Sequence, residues 1–549
     1  MTHSFNLLER PWIPCLVRHG TTESLSLRET VARAHELLGI THESPLVGVS
    51  VIRLLLAVLH RVYGPRNAAS WAVLWRSRAF NMTALDGYLG RWKHRFDLFD
   101  GERPFYQDAT IPKNLAGPVS KLMHASASGN NATLFDHSVD DDSAAITPQE
   151  AALQLVAHHT YAVGGTNTPD PSVPESKYTR GAPTVKGALC LVRGDTLYET
   201  LLLNLRRYDP EQEVPFGGAD DIPAWERPES ARVRERIPSG WLDLLTWQSR
   251  RILLFPEGDT GAPMVRHVAV LKGESVSDSF ALQGKDSMMA WQLLRNAKSR
   301  TNPWLPLGFR EERAVWRDAH SLFGSFEDRS IRPPILDWIG DVTDDALDET
   351  HRYAMDVAGL CTDPRKPAKV VSWHAESLPL PLTILKQPAL CAQVKKALEM
   401  AENGERALGF GAERLAERFL TPQDRVGGEK RDPDRKAVSR LADSLLRLQQ
   451  YWAALQVEFQ RFVVDLAALG RESIDDDTGR TPALDVWIRQ CRLSARQSMD
   501  LACRAVGHGD RSFRAVADAE RAFIASLNQK LPDTEANQEV AENDAAIAG

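Results

Sequence analysis

The clearest hydrophobic pattern in the chain runs through its last third. Apolar residues there recur at alternating spacings of four and three, at Leu441, Leu445, Leu448, Trp452, Leu455, Phe459, Phe462 and Leu466. This spacing is typical of a helix packed in a bundle. Asp432 and Pro433 supply an N-cap and a first-turn proline, and Gly470 follows the last apolar residue. We therefore predict one continuous helix over residues 433–469, about 55 Å long at 1.5 Å per residue.

Similar spacings mark three further helices around this one. Their apolar positions are Cys391, Val394, Leu398 and Ala401; then Leu484, Trp487, Cys491 and Ala495; then Phe513, Val516, Phe523 and Leu527. Four helices with short or polar connections predict an antiparallel four-helix bundle, which we assign to residues 379–530. Residues 531–549 are acidic and alanine-rich without aromatic side chains, and we expect a disordered tail there.

The preceding 378 residues mix helical and strand patterns. We predict strands over residues 5–17, 23–27, 242–255, 264–271 and 276–282, and helices over residues 28–38, 46–63 and 197–206. A Lys272-Gly273-Glu274 turn would join the last two strands. Two prolines between residues 338–360 and 369–373 predict a projecting hairpin with a basic tip. The fold class is therefore α+β, with a mixed body over residues 1–378 and the bundle after it.

Two long polar loops, within residues 121–183, interrupt this body. The first contains Ser128-Gly129-Asn130-Asn131-Ala132-Thr133-Leu134-Phe135-Asp136, and the second begins at Gly164-Gly165 and contains several prolines. Loops of this length inside a compact domain are mostly functional or disordered. We therefore expect the function of the chain to reside here.

Composition narrows the class of protein. The chain has 66 basic and 73 acidic residues, which gives a net charge of −7. This charge argues against a protein that binds nucleic acid over its whole surface, but it is compatible with a local basic groove. Six cysteines without a C-x-x-C pair predict neither a disulfide framework nor a thiolate zinc site, so we expect a cytoplasmic protein. The most apolar stretch, residues 46–62, contains Ser50, Arg53 and His60, and a buried core helix explains it better than a membrane span.

Candidate catalytic chemistry is weak. Asp136 and Asp140, Asp141 and Asp142 are most simply a solvated acidic loop, with a metal-dependent nuclease as the alternative. Adjacent His158 and His159 on a helix point to different sides, whereas two ligands on one face need a spacing of four. The usual motifs of nucleotide, serine and zincin hydrolysis do not occur, which argues against an enzyme.

Three glycine or basic turns are individually unremarkable but suggestive together. Gly164-Gly165, Lys272 and Arg365-Lys366 are each most simply turn or solubility residues. A flexible glycine backbone, a lysine on a turn and a stiff proline-containing hairpin together suit a protein that inspects duplex DNA locally. That interpretation requires the three segments to converge in space.

Short motifs spread over most of the chain carry a family resemblance. They are Asn6-Leu7-Leu8 with Pro11-Trp12-Ile13-Pro14, residues 96–107 ending in Arg103-Pro104-Phe105-Tyr106-Gln107, the loop of residues 128–136, Arg180-Gly181-Ala182-Pro183, Pro223-Ala224-Trp225-Glu226, Thr246-Trp247-Gln248 and Glu417-Arg418-Phe419. In this order, and followed by the predicted bundle, they resemble the CasA family, the large subunit of the type I-E CRISPR surveillance complex Cascade.

The resemblance implies a subunit without catalytic activity and without a cofactor. Members recognise the protospacer-adjacent motif (PAM) of double-stranded target DNA, begin strand separation and dock a helicase-nuclease, while the guide RNA reads the target sequence. The implied partners are the backbone, small and 5′-handle-binding subunits of Cascade, the crRNA, the target DNA and the helicase-nuclease. A membrane is not among them.

The resemblance also implies roles for particular residues. Asn130, Asn131, Thr133, Leu134 and Phe135 would anchor the subunit near the 5′ end of the guide. Ala162, Val163, Gly164 and Gly165 would face the minor groove of the PAM, Lys272 would be the lysine finger, and Arg365, Lys366, Pro367 and Ala368 would form the wedge. The chain departs from the family in having Ala162-Val163 where glycine is common and Lys366-Pro367 where Gln or Asn is usual. Residues 256–263 lack the cysteines of a zinc knuckle, so we expect no zinc.

Overall fold

The computed structural model describes residues 3–123, 145–173, 176–294, 302–324, 329–363, 366–421, 432–475 and 479–532, without the side chains of residues 344–345 and 366–368. The chain divides into two compact units. The first contains residues up to Val315 and Ser321–Leu382, and the second contains Trp316–His320 and the residues from Thr383 onwards. Helices and strands are mixed, as the α+β class predicted from the sequence requires.

Helices before residue 382 are mostly short, and several begin at a side-chain cap. Ser26, Asn67 and Thr147 each accept a hydrogen bond from a backbone N–H in the first turn of the helix that follows. The helices are α1 (Leu27–Ala32), α2 (Pro45–Tyr63), α3 (Ala68–Ser77), α4 (Met82–Trp92), α5 (Pro148–Tyr161), α6 (Leu197–Leu203), α7 (Trp241–Leu245), α8 (Ala319–Phe323) and α9 (Pro334–Ala346).

The strands of the first unit form several small sheets. They are β1 (Ile13–Val17), β2 (Thr22–Leu25), β3 (Leu37–Ile40), β4 (Gly117–Pro118), β5 (Gly165–Thr166), β6 (Tyr178–Thr179), β7 (Leu189–Arg193), β8 (Arg234–Arg236), β9 (Arg250–Glu257), β10 (Met264–Lys272), β11 (Glu274–Val276), β12 (Trp291–Leu293), β13 (Trp304–Pro306), β14 (Ser330–Ile331), β15 (Tyr353–Asp363) and β16 (Lys366–Leu380). The sheet orders are β2-β1-β3, β4-β10-β9, β11-β8, β13-β12-β14, β16-β15-β7 and β5-β6.

Helix α2 is the buried core helix predicted from residues 46–62. By length and composition it could cross a membrane, but 78% of its most apolar window is buried within the protein. Arg53, near its middle, is 2% exposed, and its Nη2 lies 2.8 Å from Oδ2 of the equally buried Asp286. This ion pair makes a charged residue compatible with the core.

The predicted strand pairing around Lys272 is wrong. Residues 242–255 are not one strand, because Trp241–Leu245 form α7 and the strand β9 begins only at Arg250. Strand β10 pairs with β9, and after Gly273 the chain continues into β11, which pairs in parallel with β8 rather than returning along β10. Residues 338–346, expected as strand, belong to helix α9. The predicted hairpin around residue 365 is present as β15 and β16.

The second unit contains α10 (Leu382–Lys386), α11 (Pro388–Leu420), α12 (Arg435–Leu445), α13 (Leu448–Leu469), α14 (Pro482–Ala505) and α15 (Asp510–Lys530). Helix α11 packs against α12, α14 and α15, and α13 packs against α14. Leu531, assigned above to the tail, is fully buried, and its carbonyl accepts a hydrogen bond from Arg492. Residues 533–549 lie outside the described residues.

The single long helix predicted over residues 433–469 is wrong. It is interrupted at Leu446 and Arg447, whose backbones leave the helical region, and the N-cap is Asp434 rather than Asp432. Val438 and Ala442 of α12 pack against Ala416 of α11. Helix α13 instead packs mainly against α14. The two segments therefore have different main packing partners, although their apolar spacing is uninterrupted.

An aromatic cluster explains why Trp316–His320 belongs to the second unit. The Trp316 ring lies 4.8 Å from that of Phe459 and also contacts the rings of Trp452 and Trp487 at interplanar angles of 61° and 89°. The Arg317 guanidinium lies 3.5 Å from the centre of the Trp452 ring. The burial of these large rings stabilises the cluster, although Trp316 lies far from the other rings in the sequence.

A buried charge network lies beside the Lys272 turn of the first unit. Asp243 and Glu274 are at most 2% exposed, and Arg236 bridges them through Nη2 to Asp243 Oδ1 at 2.9 Å and Nε to Glu274 Oε2 at 2.8 Å. Arg227 contacts both carboxylates as well. Burial alone would raise the pKa of Asp243, but the Arg236 hydrogen bonds and the charges of both arginines lower it overall.

We expect Asp243→Asn to lower the free energy of unfolding by about 3 kcal/mol at pH 7, because Arg227 and Arg236 then share one buried carboxylate, that of Glu274, instead of two. Since the folded-state pKa of Asp243 is lowered, its stabilising contribution is complete above the unfolded-state pKa near 4 and is lost as the pH falls below it. The difference between variant and parent should therefore shrink below about pH 4. Thermal unfolding as a function of pH measures this, with the exposed Asp220→Asn as control. A difference independent of pH would contradict the assignment.

Candidate nucleic-acid interface

The glycine loop, residues 162–165, follows helix α5 directly. Ala162 is fully buried, and its carbonyl accepts a 2.7 Å hydrogen bond from the N–H of Ala182. A Cβ atom on Gly164 would lie 2.8 Å from the backbone nitrogen of Gly181, closer than real Cβ atoms come. Gly165 has a φ of 150°, which favours glycine, and begins the β5–β6 pairing. The glycines therefore allow two backbone segments to touch.

Arg250, which the sequence patterns did not single out, holds this loop in place. It is 3% exposed, and Nη1 donates to Thr179 Oγ1 at 2.7 Å and to the carbonyls of Arg180 and Ser249 at 2.9 and 2.8 Å. Nη2 donates to the Val163 carbonyl at 2.5 Å. Burial lowers the pKa of Arg250 to about 10, so the group is still a cation at neutral pH. No carboxylate in the described part of the chain pairs with it.

Lys272 is joined to the glycine loop through the same arginine. It is the last residue of β10 and the cross-strand partner of Arg250 in β9. The next residue, Gly273, lies so close that a Cβ atom there would be 2.7 Å from the Arg250 backbone. Lys272 is half-buried, at the strand end from which the chain turns toward the buried charge network.

The hairpin assigned as the wedge is formed by β15 and β16. Asp363 pairs with Lys366, and the register shifts on both sides of Thr362, which opposes Val370. Arg365 lies outside the described residues, as do the side chains of Lys366, Pro367 and Ala368. The structure therefore gives the hairpin and its base but not the groups at its tip.

One groove brings the glycine loop and the hairpin base together. It has a volume of about 850 Å³, and its lining includes Val163 and Gly164 of the loop, Arg180 and Lys186 of the segment packed against it, and Thr362 at the base of the hairpin. Val276, Ser277 and Asp278, just beyond Lys272 in the chain, form another part of the wall. Segments far apart in sequence thus share one concave surface.

Other sequence candidates fall outside this site. Asn130, Asn131, Thr133, Leu134 and Phe135 lie outside the described residues, as do Asp136 and Asp140, Asp141 and Asp142. Among the residues that are described, no group of three His, Cys, Asp or Glu side chains is arranged to hold a metal. His158 Nδ1 lies 3.1 Å from the Leu122 carbonyl and His159 Nε2 lies 3.0 Å from the Tyr106 carbonyl. Both histidines are buried and are therefore core residues, and burial lowers the pKa of His159 to about 4.

Several of the family-like motifs support the first unit from within. The rings of Phe105 and Tyr106 stack at 4.3 Å, and Gln107 donates to the Leu98 carbonyl while its Oε1 accepts from the N–H of Leu254 in β9. Glu226 accepts hydrogen bonds from both Arg61 and Tyr88. These motifs build the core that carries β9, and with it Arg250.

Comparison with known proteins decides the family. Residues 6–498 match the family described as CRISPR-associated protein Cse1. The chain is 34% identical over 535 residues to the CRISPR-associated protein CasA/Cse1 of Thermus thermophilus, covering 94% of this chain and 96% of that protein. The chain belongs to the Cse1 family. The resemblance inferred from the scattered motifs is thereby confirmed.

Solved structures show that the Cse1 fold extends over nearly the whole chain. The crystal structure of Thermobifida fusca Cse1 matches with a TM-score of 0.78 at 25% identity, covering 97% of this chain and 99% of that one. A chain of a CRISPR RNA-guided surveillance complex matches with a TM-score of 0.73 at 22% identity, over 95% of this chain and 99% of that chain. At that identity the second match shows a shared fold.

We expect Arg250→Lys to loosen the glycine loop. A lysine ammonium keeps the charge but cannot serve the acceptors on both sides of the guanidinium, so the Val163 carbonyl or the Thr179–Arg180 segment loses its donor. Amide hydrogen exchange should accelerate at least tenfold in residues 162–166 and 178–182. The exposed Arg10→Lys is the matched control. Unchanged exchange in these two segments would show that Arg250 does not hold the loop.

Proposed function

We propose that this Cse1 protein is the large subunit of a type I-E Cascade surveillance complex and recognises the PAM of double-stranded target DNA. In this proposal the glycine loop and Lys272 contact the minor groove, and the β15–β16 hairpin separates the first base pair. The observation that supports it is the shared groove, because Gly164 and Thr362 line one surface and Lys272 is tied to the same loop through Arg250. Local contacts of this kind suffice when the guide RNA reads the remaining sequence.

The chemistry of the three segments fits their roles. A glycine backbone can approach base edges closely, a lysine gains from the phosphate potential of the minor groove, and a two-stranded hairpin is a stiff lever. Because Arg250 is anchored to backbone carbonyls, the loop is preorganised rather than folded on binding, which lowers the entropic cost of recognition.

The proposal also assigns partners and a setting. Asn130, Asn131, Thr133, Leu134 and Phe135 anchor the subunit near the 5′ end of the crRNA, and the second unit contacts other Cascade subunits. The complex works in the cytoplasm, opens the duplex and recruits a separate helicase-nuclease, so this chain needs no catalytic residues or cofactor of its own.

We expect Lys272→Ala and Gly164→Ala each to weaken PAM-dependent binding. Removing the lysine charge should cost about tenfold in affinity, equivalent to about 1.4 kcal/mol, and reduce the salt dependence by about one ion. A methyl group on Gly164 would push the loop away from Gly181, and we expect a comparable loss of discrimination between duplexes with and without a PAM. Binding of reconstituted complex to duplexes with a flank selected from a randomised library measures both.

Matched controls separate the site from general effects on folding. Lys113→Ala removes a different lysine of the same unit, one that is exposed. Gly90→Ala adds a methyl group within α4 where no atom lies within 4 Å. If all four variants discriminate PAM duplexes as well as the parent does, the assigned residues do not read the PAM.

The nuclease alternative has a direct test. We expect the purified chain to leave single- and double-stranded DNA intact in the presence of Mg²⁺ or Mn²⁺. Metal-dependent cleavage that disappears on replacing Asp136 and Asp140, Asp141 and Asp142 by alanine would overturn the non-catalytic assignment. Cleavage that survives those replacements would point to a contaminating nuclease.

A further inference from the structure

The groove beside the hairpin has the lining of a pocket for a flat ring rather than of a track for phosphates. Its apolar lining consists of Val163, Ala182, Pro183, Val185, Val276, Phe280, Leu282, Trp291 and Pro306. The guanidinium of Arg180 is paired with carboxylates, because Nη1 lies 2.7 Å from Asp278 Oδ1 and Nη2 lies 3.4 Å from Glu235 Oε2. The wall therefore offers mainly hydrophobic contact.

Two aromatic residues, Phe280 and Trp291, line this groove. Phe280 is half-buried, so part of its ring is available to a ligand. Trp291 is 4% exposed, and its Nε1 has no hydrogen-bond partner among the residues that the structure describes. A buried donor without a partner is costly, and an acceptor brought by a ligand would relieve that cost.

A second cation, Lys186, also lines the groove. Lys186 is exposed, and no carboxylate of the described chain lies within salt-bridge distance of its Nζ. One positive charge beside an aromatic, apolar cleft is the combination that proteins use for single-stranded nucleic acid, where bases stack on rings and a phosphate meets a lysine. At about 850 Å³ the groove is large enough for a nucleotide.

Its position points to the origin of that nucleotide. Thr362, at the base of the hairpin, lines the same groove as the glycine loop. If the hairpin separates the strands, the first unpaired bases emerge beside this opening, and those of the displaced strand have no partner once the guide has paired with the other strand.

We propose that this groove captures an unpaired base of the displaced strand next to the PAM, with the base stacked on Phe280, an acceptor of the base at Trp291 Nε1, and its phosphate near Lys186. This inference rests on the proposed function. Capture would oppose reannealing of the first base pairs, so the groove would act after PAM recognition and would not contribute to it.

The test uses reconstituted complex with guide RNA and a target duplex carrying 2-aminopurine at successive displaced-strand positions. We expect fluorescence at one or two positions next to the PAM to be at least threefold lower than at positions further along, because the captured base is stacked. Phe280→Ala should abolish this difference. Trp291→Phe, which keeps a ring but removes the N–H, should reduce it, and Trp92→Phe should not.

PAM-dependent affinity, measured on the same variants with a duplex that does not match the guide, separates the two proposals. We expect Phe280→Ala to change that affinity less than twofold. Three outcomes would overturn the groove assignment alone, provided that PAM-dependent binding is intact. They are uniform fluorescence along the displaced strand, quenching on the target strand instead, and quenching that Phe280→Ala does not change. If the parent complex shows no PAM dependence, the proposed function fails and the groove assignment fails with it.

Discussion

The buried guanidinium of Arg250 is the contact on which the arrangement of the interface depends. Its acceptors belong to three separate stretches of the chain, at Val163, at Thr179 and Arg180, and at Ser249. All are neutral oxygens, so the cation is stabilised by oriented dipoles rather than by a counter-charge. A buried guanidinium without hydrogen-bond acceptors is costly, so Arg250 keeps the glycine loop in contact with strand β9. Loops with little regular structure of their own are thereby given a defined shape.

Other arginines of the first unit also join separate segments of the chain, but they do so through carboxylates. Arg251, next in the chain, bridges Asp108 and Asp170, which belong to different loops, at 2.7 and 2.8 Å. Arg53 pairs with Asp286 in the core, and Arg236 joins Asp243 to Glu274 beneath the Lys272 turn. Buried ion pairs are weak evidence for stability, but breaking one is expensive. They therefore fix which loops meet, while the small sheets and α2 supply the hydrophobic core.

This construction is compatible with the proposed role of an acidic protein at DNA. A net charge of −7 does not attract duplex over a broad surface, so binding has to be local and geometric. In the proposed site, the glycine loop and the base of the β15–β16 hairpin line one groove, and Lys272 is the cross-strand partner of Arg250, which holds that loop. Membership in the Cse1 family sets the context in which it acts, whereas the site itself has to be argued from these residues.

The sequence by itself determined the α+β class, the core helix α2 and the β15–β16 hairpin, because apolar periodicity and turn residues report local burial and local backbone geometry. The family came instead from the resemblance of the scattered motifs. The apolar pattern did not predict the break between α12 and α13. Val438 in α12 and Phe459 in α13 belong to one uninterrupted apolar spacing, but they face different helices. The pattern also mispaired the strands around Lys272, because periodicity does not specify a partner strand. Only the tertiary structure revealed the role of Arg250 and the groove. The Arg250 side chain binds carbonyls that are distant in sequence, and the groove wall is assembled from remote segments. Neither arrangement leaves a periodic signal in the sequence.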